Sequence, residues 1–154
     1  MPFDIGDTLD RVHTYLAKSG HCAGGQQIGD YTQPPDTGNG PVAFITMGGL
    51  NVYGMTLGGQ PMAQEVVLVT IMIDSLREPV ADIEKDLALA ATNIMADLLG
   101  EYDLGGSIRN VDPAGAHGAS FATRWGYYDI QAVMYRSVDI TIPLLVDWTD
   151  TAAA

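Results

Sequence analysis

The chain has 154 residues, enough for one ordinary domain and too few for a second independent core. Nineteen Asp and Glu against seven Lys and Arg leave a formal net charge of -12, which excludes generic nucleic-acid binding, because phosphate affinity comes from Lys and Arg displacing condensed counterions. With 47% hydrophobic and 17% charged residues the chain is too apolar for disorder and light in charge for a free monomer, so part of its surface is expected to meet another protein.

The first ten residues open with acid and lack an apolar run, so they do not read as a signal peptide. The longest apolar stretch, Val66 to Ile73, is broken by Thr70 and falls short of the roughly 20 residues a membrane span needs. Cys22 is the only cysteine, which rules out an internal disulfide and an all-cysteine metal cluster and indicates a reducing or redox-indifferent setting.

In chain order, Ile5, Leu9, Val12, Tyr15 and Leu16 recur at helical spacing and predict a helix from about Asp4 to Ser19, with Asp4 or Asp7 as its cap and Lys18 and Gly20 at its end. A loop of about twenty residues follows from His21 to Gly40, where Pro34 and Pro35 oppose regular pairing and something outside the local sequence is expected to hold the chain. Pro41 to Met47 reads as a strand. Gly48 to Gln64, rich in Gly and Met, reads as a connection or loose hairpin, and Val66 to Ile73 as a strand covered on both faces. Pro79 starts a helix ending near Gly100, with Val80, Ile83, Leu87, Ala91, Ile94, Met95 and Leu98 as its buried stripe. Strands are then expected at Ser107 to Val111, Ser120 to Asp129 and Val133 to Val146. In the last, Val138, Ile140, Ile142, Leu144 and Val146 share a face, and Pro143 argues for a sheet edge or a bulge. The order α-β-β-α-β-β-β predicts an α+β domain, a mostly antiparallel sheet backed by two helices.

Motifs for chemistry are sparse. Gly38, Gly40 and Ala43 fit G-x-G-x-x-A but precede a strand, where a dinucleotide site needs a strand before and a helix after. His117 and Ser120 lack the surrounding pattern of a hydrolase elbow, and His21 beside Cys22 lacks further paired ligands. Asp82, Glu84 and Asp86 occupy successive even helix positions that do not share a face. No catalytic, cofactor or metal residue is assigned. In the segment from Gly48 to Gln64, however, Leu50, Val52, Tyr53, Met55, Leu57 and Met62 would be exposed, which points to a subunit contact.

The second half carries a resemblance. Glu78-Pro79 opening a helix, the segment Gly100 to Asp112 (GEYDLGGSIRNVD), Gly115 to Gly118, Trp125-Gly126-Tyr127 and Tyr135 to Val146 resemble tail terminator proteins of siphophages that infect actinobacteria. The match runs from about Met62 to Val146 and is most specific in Gly100 to Asp112; the first sixty residues share only the plan of a helix, a long loop and a strand.

That resemblance implies a virion protein with no catalytic residue, cofactor or metal. It would form a ring of six copies at the head-proximal end of the tail, assembled in the host cytoplasm. The ring would cap the major tail tube protein and join it to a head-completion or stopper protein, while double-stranded DNA passes through without specific binding. Other expectations are a different neck component, a stopper or adaptor, or a small acidic ligand-binding domain. Within the resembling segment Arg109 is expected to pair with Asp103 or Asp112, or to lie in a subunit contact. The acidic charge fits either a lumen wall that repels DNA or a solvated outer surface.

Overall fold

The computed structural model of the chain describes residues 5–55, 57–59, 61–76, 79–100, 110–111, 115–116 and 118–147. Along the chain lie α1 (Ile5–Ser19), β1 (Gly25–Ile28), β2 (Val42–Met55), β3 (Pro61–Asp74), α2 (Val80–Gly100), β4 (Asn110–Val111), β5 (Ala122–Ile130) and β6 (Val133–Asp147). This is an α+β fold with one mixed, mostly antiparallel sheet. The strand order is β1-β2-β3-β6, and β5 and β4 share the far side of β6; only β1 and β2 run parallel.

Both helices follow from their apolar spacing. In α1, Val12 and Leu16 are fully buried, and Asp7 bonds Arg11 one turn on at 3.0 Å, so it sits within the first turn and not at the cap. Gly20, at a φ of 70°, donates to Leu16 O and ends the helix as a left-handed residue. In α2, Ile83, Leu87, Ala91, Ile94 and Leu98 are buried as the spacing predicts, while Val80 is exposed and Met95 half-buried.

These stripes cover one sheet face, which presents Ala43 and Ile45 from β2, Val67, Val69, Ile71 and Ile73 from β3, and Val138, Ile140, Ile142 and Leu144 from β6. Each isoleucine, leucine or valine so buried contributes about 1.5–3 kcal/mol. On the other face Val42, Phe44, Met72, Ile130 and Tyr135 form a smaller cluster with Tyr31, Tyr128 and Val133. No described helix is long and apolar enough to cross a membrane.

Three features differ from the sequence reading. The segment 21–40 contains β1, whose parallel partner is supplied by Val42 to Ile45, so the two prolines do not prevent pairing upstream of them. The rest of that segment is held from within the domain: Tyr135 Oη donates to Pro35 O at 2.9 Å, Asp74 N to Thr37 Oγ1 at 3.1 Å and Gln131 Nε2 to Thr32 O at 2.9 Å. Second, Gly48 to Gln64 is no loose connection. β2 and β3 pair to Met55 and Pro61, with irregularities between Met47 and Gly49 and between Val52 and Gly54.

Third, Pro143 is not at a sheet edge. β6 pairs with β3 from Tyr135 to Asp147, and Pro143 stands opposite Val66 without a register shift. On the other side of β6, β5 stops at Thr141 and β4 pairs with Leu144 and Leu145, so among the described residues Ile142 and Pro143 have no ladder partner there. The two-residue turn between Ile130 and Val133 makes those residues a hydrogen-bonded pair, so odd-numbered residues of β6 turn their N–H and C=O toward β5. Met134 O, an even position, accepts from Ser75 N on the β3 side, in agreement. The N–H that Pro143 lacks therefore falls in the interval between β5 and β4, where no described strand asks for it.

Candidate assembly surface

The β2–β3 hairpin outruns its cover. The parallel strand β1 accompanies β2 only to Ile45. Leu50 still packs partly on the main core and Ala63 is buried in it, but Val52 is 56% exposed, Met55 63% and Leu57 fully exposed. Tyr53 and Met62 are half-buried, so of the six residues singled out in sequence only Val52, Met55 and Leu57 are exposed. From Leu50 to Pro61 there is no charged residue, in a chain whose net charge is -12. Gly59, at a φ of 81°, reverses the chain at the tip, where a side chain would be strained.

A bidentate side-chain contact fixes the base of this arm. Gln64 is fully buried, donates through Nε2 to Ala119 O at 2.7 Å and accepts from Ala119 N at Oε1 at 2.9 Å; the same Oε1 accepts from Asn51 Nδ2 at 3.0 Å. Gly118 lies so close that an added Cβ would collide with the Gln64 amide. The hairpin is thereby tied to the segment leading into β5.

At the opposite end of the sheet, β5 carries an exposed aromatic pair. Arg136 of β6 reaches across it, its guanidinium 4.9 Å from the Tyr127 ring centre and 5.6 Å from that of Trp125. Its Nε donates to Glu84 Oε1 of α2 at 2.7 Å and its Nη1 to Gly126 O at 3.0 Å. The bond to Glu84 raises the guanidinium pKa further above its already high value. Nothing in the local sequence joins these four residues, since Glu84 and Arg136 meet only through the packing of α2 on β6.

A third cluster links the helices. Asp97 of α2 accepts through one oxygen from Tyr15 Oη at 2.7 Å and meets His21 Nε2 at 2.8 Å. The bonds from His21 and then from Tyr15 hold the Asp97 carboxyl below the usual carboxylate range, while burial and the Asp97 charge push the Tyr15 phenol up. Cys22, beside His21, is 3% exposed, and burial pushes its thiol up to about 12, which makes it a poor nucleophile and a poor ligand.

The remaining sequence candidates do not converge. Among the described residues no group of three or more His, Cys, Asp or Glu side chains is placed to hold a metal ion. Glu84 is engaged with Arg136, away from any cluster of the α2 acids. Gly40 leads directly into β2, with a strand and not a helix after it. Asp103, Arg109, Asp112 and His117 lie outside the described residues. In comparisons with known proteins, no family model and no curated protein matches this chain.

Proposed function

We propose that this chain is a structural subunit of a siphophage tail terminator, a ring that caps the tail tube and joins it to the neck. The observation that carries the reading is the uncharged β2–β3 arm, which holds Val52, Met55 and Leu57 in water beyond the reach of either helix. Burying such side chains against a neighbour would return about 1.5–3 kcal/mol for each one fully covered. The resemblance of Gly100 to Asp112 and of Tyr135 to Val146 to tail terminators gives the neighbour its class: further copies of the chain and the tube. A stopper or adaptor would use the same arm, and no observation favours it over the terminator.

Charge adds a discriminating feature. The helices carry Asp7, Asp10, Asp82, Glu84, Asp86 and Asp97 against Arg11, Lys18 and Lys85, whereas the sheet face turned away from them presents Thr46 and Thr141, with Thr70 and Ser137 buried there and Asp139 accepting from Thr70 Oγ1 at 2.8 Å. A ring with its helices inward has a more acidic lumen than one with its sheet inward. Electron microscopy of the purified protein, alone and with tail tubes, tests the reading through rings and capped tube ends. Deleting Gly54 to Gly59 removes no described core residue and should leave a folded protein that caps no tubes. A deletion variant that capped tubes normally would defeat the proposal.

A further inference from the structure

Among the described residues the sheet has four free edges, and three are poorly suited to another strand, β4 because it is only two residues long. β1 is four residues long, and His13 Nε2 lies 3.3 Å from Gln26 O, a backbone group on its outer side. β2 beyond Ile45 is interrupted by two bulges, a common way for an edge to resist pairing. β5 has no such protection. It runs nine residues from Ala122 to Ile130 without proline, lysine or a register shift, and no described strand lies beyond it. The two-residue turn turns the N–H and C=O of Thr123, Trp125, Tyr127 and Asp129 to that free edge. Trp125 and Tyr127 are themselves exposed, at 38% and 65%.

We propose that β5 pairs antiparallel with β5 of a second copy, about a two-fold axis at Gly126. The sequence of the strand is self-complementary in this register. Trp125 meets Tyr127 of the other copy, an aromatic cross-strand pair beside Arg136. Arg124 meets Tyr128, a cation facing a ring, and Thr123 meets Asp129, so no like charges oppose each other. The four outward residues of each strand become hydrogen-bonded pairs, and the two Gly126 residues face each other as a non-hydrogen-bonded pair. Shifting the register by two residues would set Trp125 against Trp125 or Tyr127 against Tyr127 and lose the Arg124 and Tyr128 match.

A two-fold pair closes on itself and recruits no further copy, so it describes chains before any ring forms and does not depend on the ring reading. One strand pair with an aromatic flank is a small interface, which makes the dimer concentration-dependent.

Gly126 provides the test, because a Cβ added there meets nothing within 4 Å. In a Cys22→Ser background, Gly126→Cys should oxidise to a covalent dimer, since facing residues of a non-hydrogen-bonded pair have Cα atoms about 4.5 Å apart, within disulfide reach. Arg124→Cys should not, because its own counterpart is four residues away along the strand. Tyr127→Pro removes an outward N–H that β6 does not use, and should sediment as a monomer with an unchanged circular dichroism spectrum where the parent sediments as a dimer. A parent chain that stays monomeric at its solubility limit, or cross-linking at position 124 as efficient as at 126, would overturn the pairing. Rings in micrographs without cross-linking at 126 would sink this inference alone, and cross-linked dimers that never cap tubes would sink the ring reading alone.

Discussion

The side-chain amide of Gln64 holds both backbone polar groups of Ala119, donating to its carbonyl at 2.7 Å and accepting from its N–H at 2.9 Å, as a neighbouring strand would. Residues 55 positions apart are thus locked by one buried side chain. Gln64→Leu, which fills the space and removes both bonds, should destabilise the fold by about 2–3 kcal/mol in urea, the cost of leaving buried backbone groups without partners. Gln64→Glu keeps the acceptor and loses the donor. Its carboxyl, raised by burial and by the facing carbonyl, can donate to Ala119 O only when protonated, so that variant should be less destabilised at pH 4 than at pH 7.

Gln131 and Ala132 occupy the two central positions of the β5–β6 turn at φ values of 48° and 67°. A left-handed conformation costs an ordinary residue about 1–2 kcal/mol, and such turns favour glycine at the second position. Ala132→Gly should therefore raise stability by up to about 1 kcal/mol in thermal unfolding, after allowing for the added freedom of the unfolded chain. Gln131 is to be kept, because its side chain bonds Thr32 O.

Arg136 makes an ion pair and a stacking contact at once. Glu84→Gln breaks only the pair, which is half in water on the Glu84 side, and should cost no more than about 1 kcal/mol. Arg136→Lys also loses the planar contact with Trp125 and Tyr127, and should cost about 1–2 kcal/mol. The difference between the two variants should persist in high salt, since stacking is screened less than an exposed ion pair.

The Cys22 thiol ionises at about 12 in the folded chain against an ordinary value of 9.0. Its folded value is raised, so the stability it contributes is complete below about pH 9 and is lost as pH climbs toward 12. Cys22→Ala should flatten that part of the alkaline unfolding curve. At pH 8 the native thiol should react with a disulfide reagent only as fast as the protein opens. Asp97 has the opposite sign: its folded pKa lies below 3.8, and its contribution, present at neutral pH, is lost as acid is added below that value. Asp97→Asn should reduce the acid sensitivity of unfolding there.

Elements with local periodicity were legible in the sequence. The α2 stripe from Ile83 to Leu98 and the alternation from Val138 to Leu144 each declare one buried face within a few residues. β1 was hidden because Gly25 to Ile28 has no pattern of its own and is a strand only through its alignment with Val42 to Ile45. The start of β3 was hidden for another reason. Gln64 and Glu65 are both fully buried, and two adjacent polar residues in the run from Met62 to Val66 conceal a strand beginning at Pro61. At the candidate surface, the exposed Val52, Met55 and Leu57 could be read from sequence as apolar residues among glycines. Arg136, Trp125 and Glu84 could not, since only the crossing of α2 over β6 brings them together.

β6 is the interior strand on which the sheet depends, yet it is synthesised after every other described element. Each partner it offers to β3 lies 61 to 85 residues from that partner in sequence, from Asp74 with Tyr135 to Met62 with Asp147. Until β6 emerges from the ribosome, β3 shows a bare edge and the sheet-facing side of α2 lacks half its seat. Closing so long a loop is slow compared with forming the β2–β3 or β5–β6 hairpins. The nascent chain therefore carries an unpaired, apolar strand from the completion of β3 to that of β6, and its yield in a cell should respond to chaperone supply more than the stability of the finished fold would indicate.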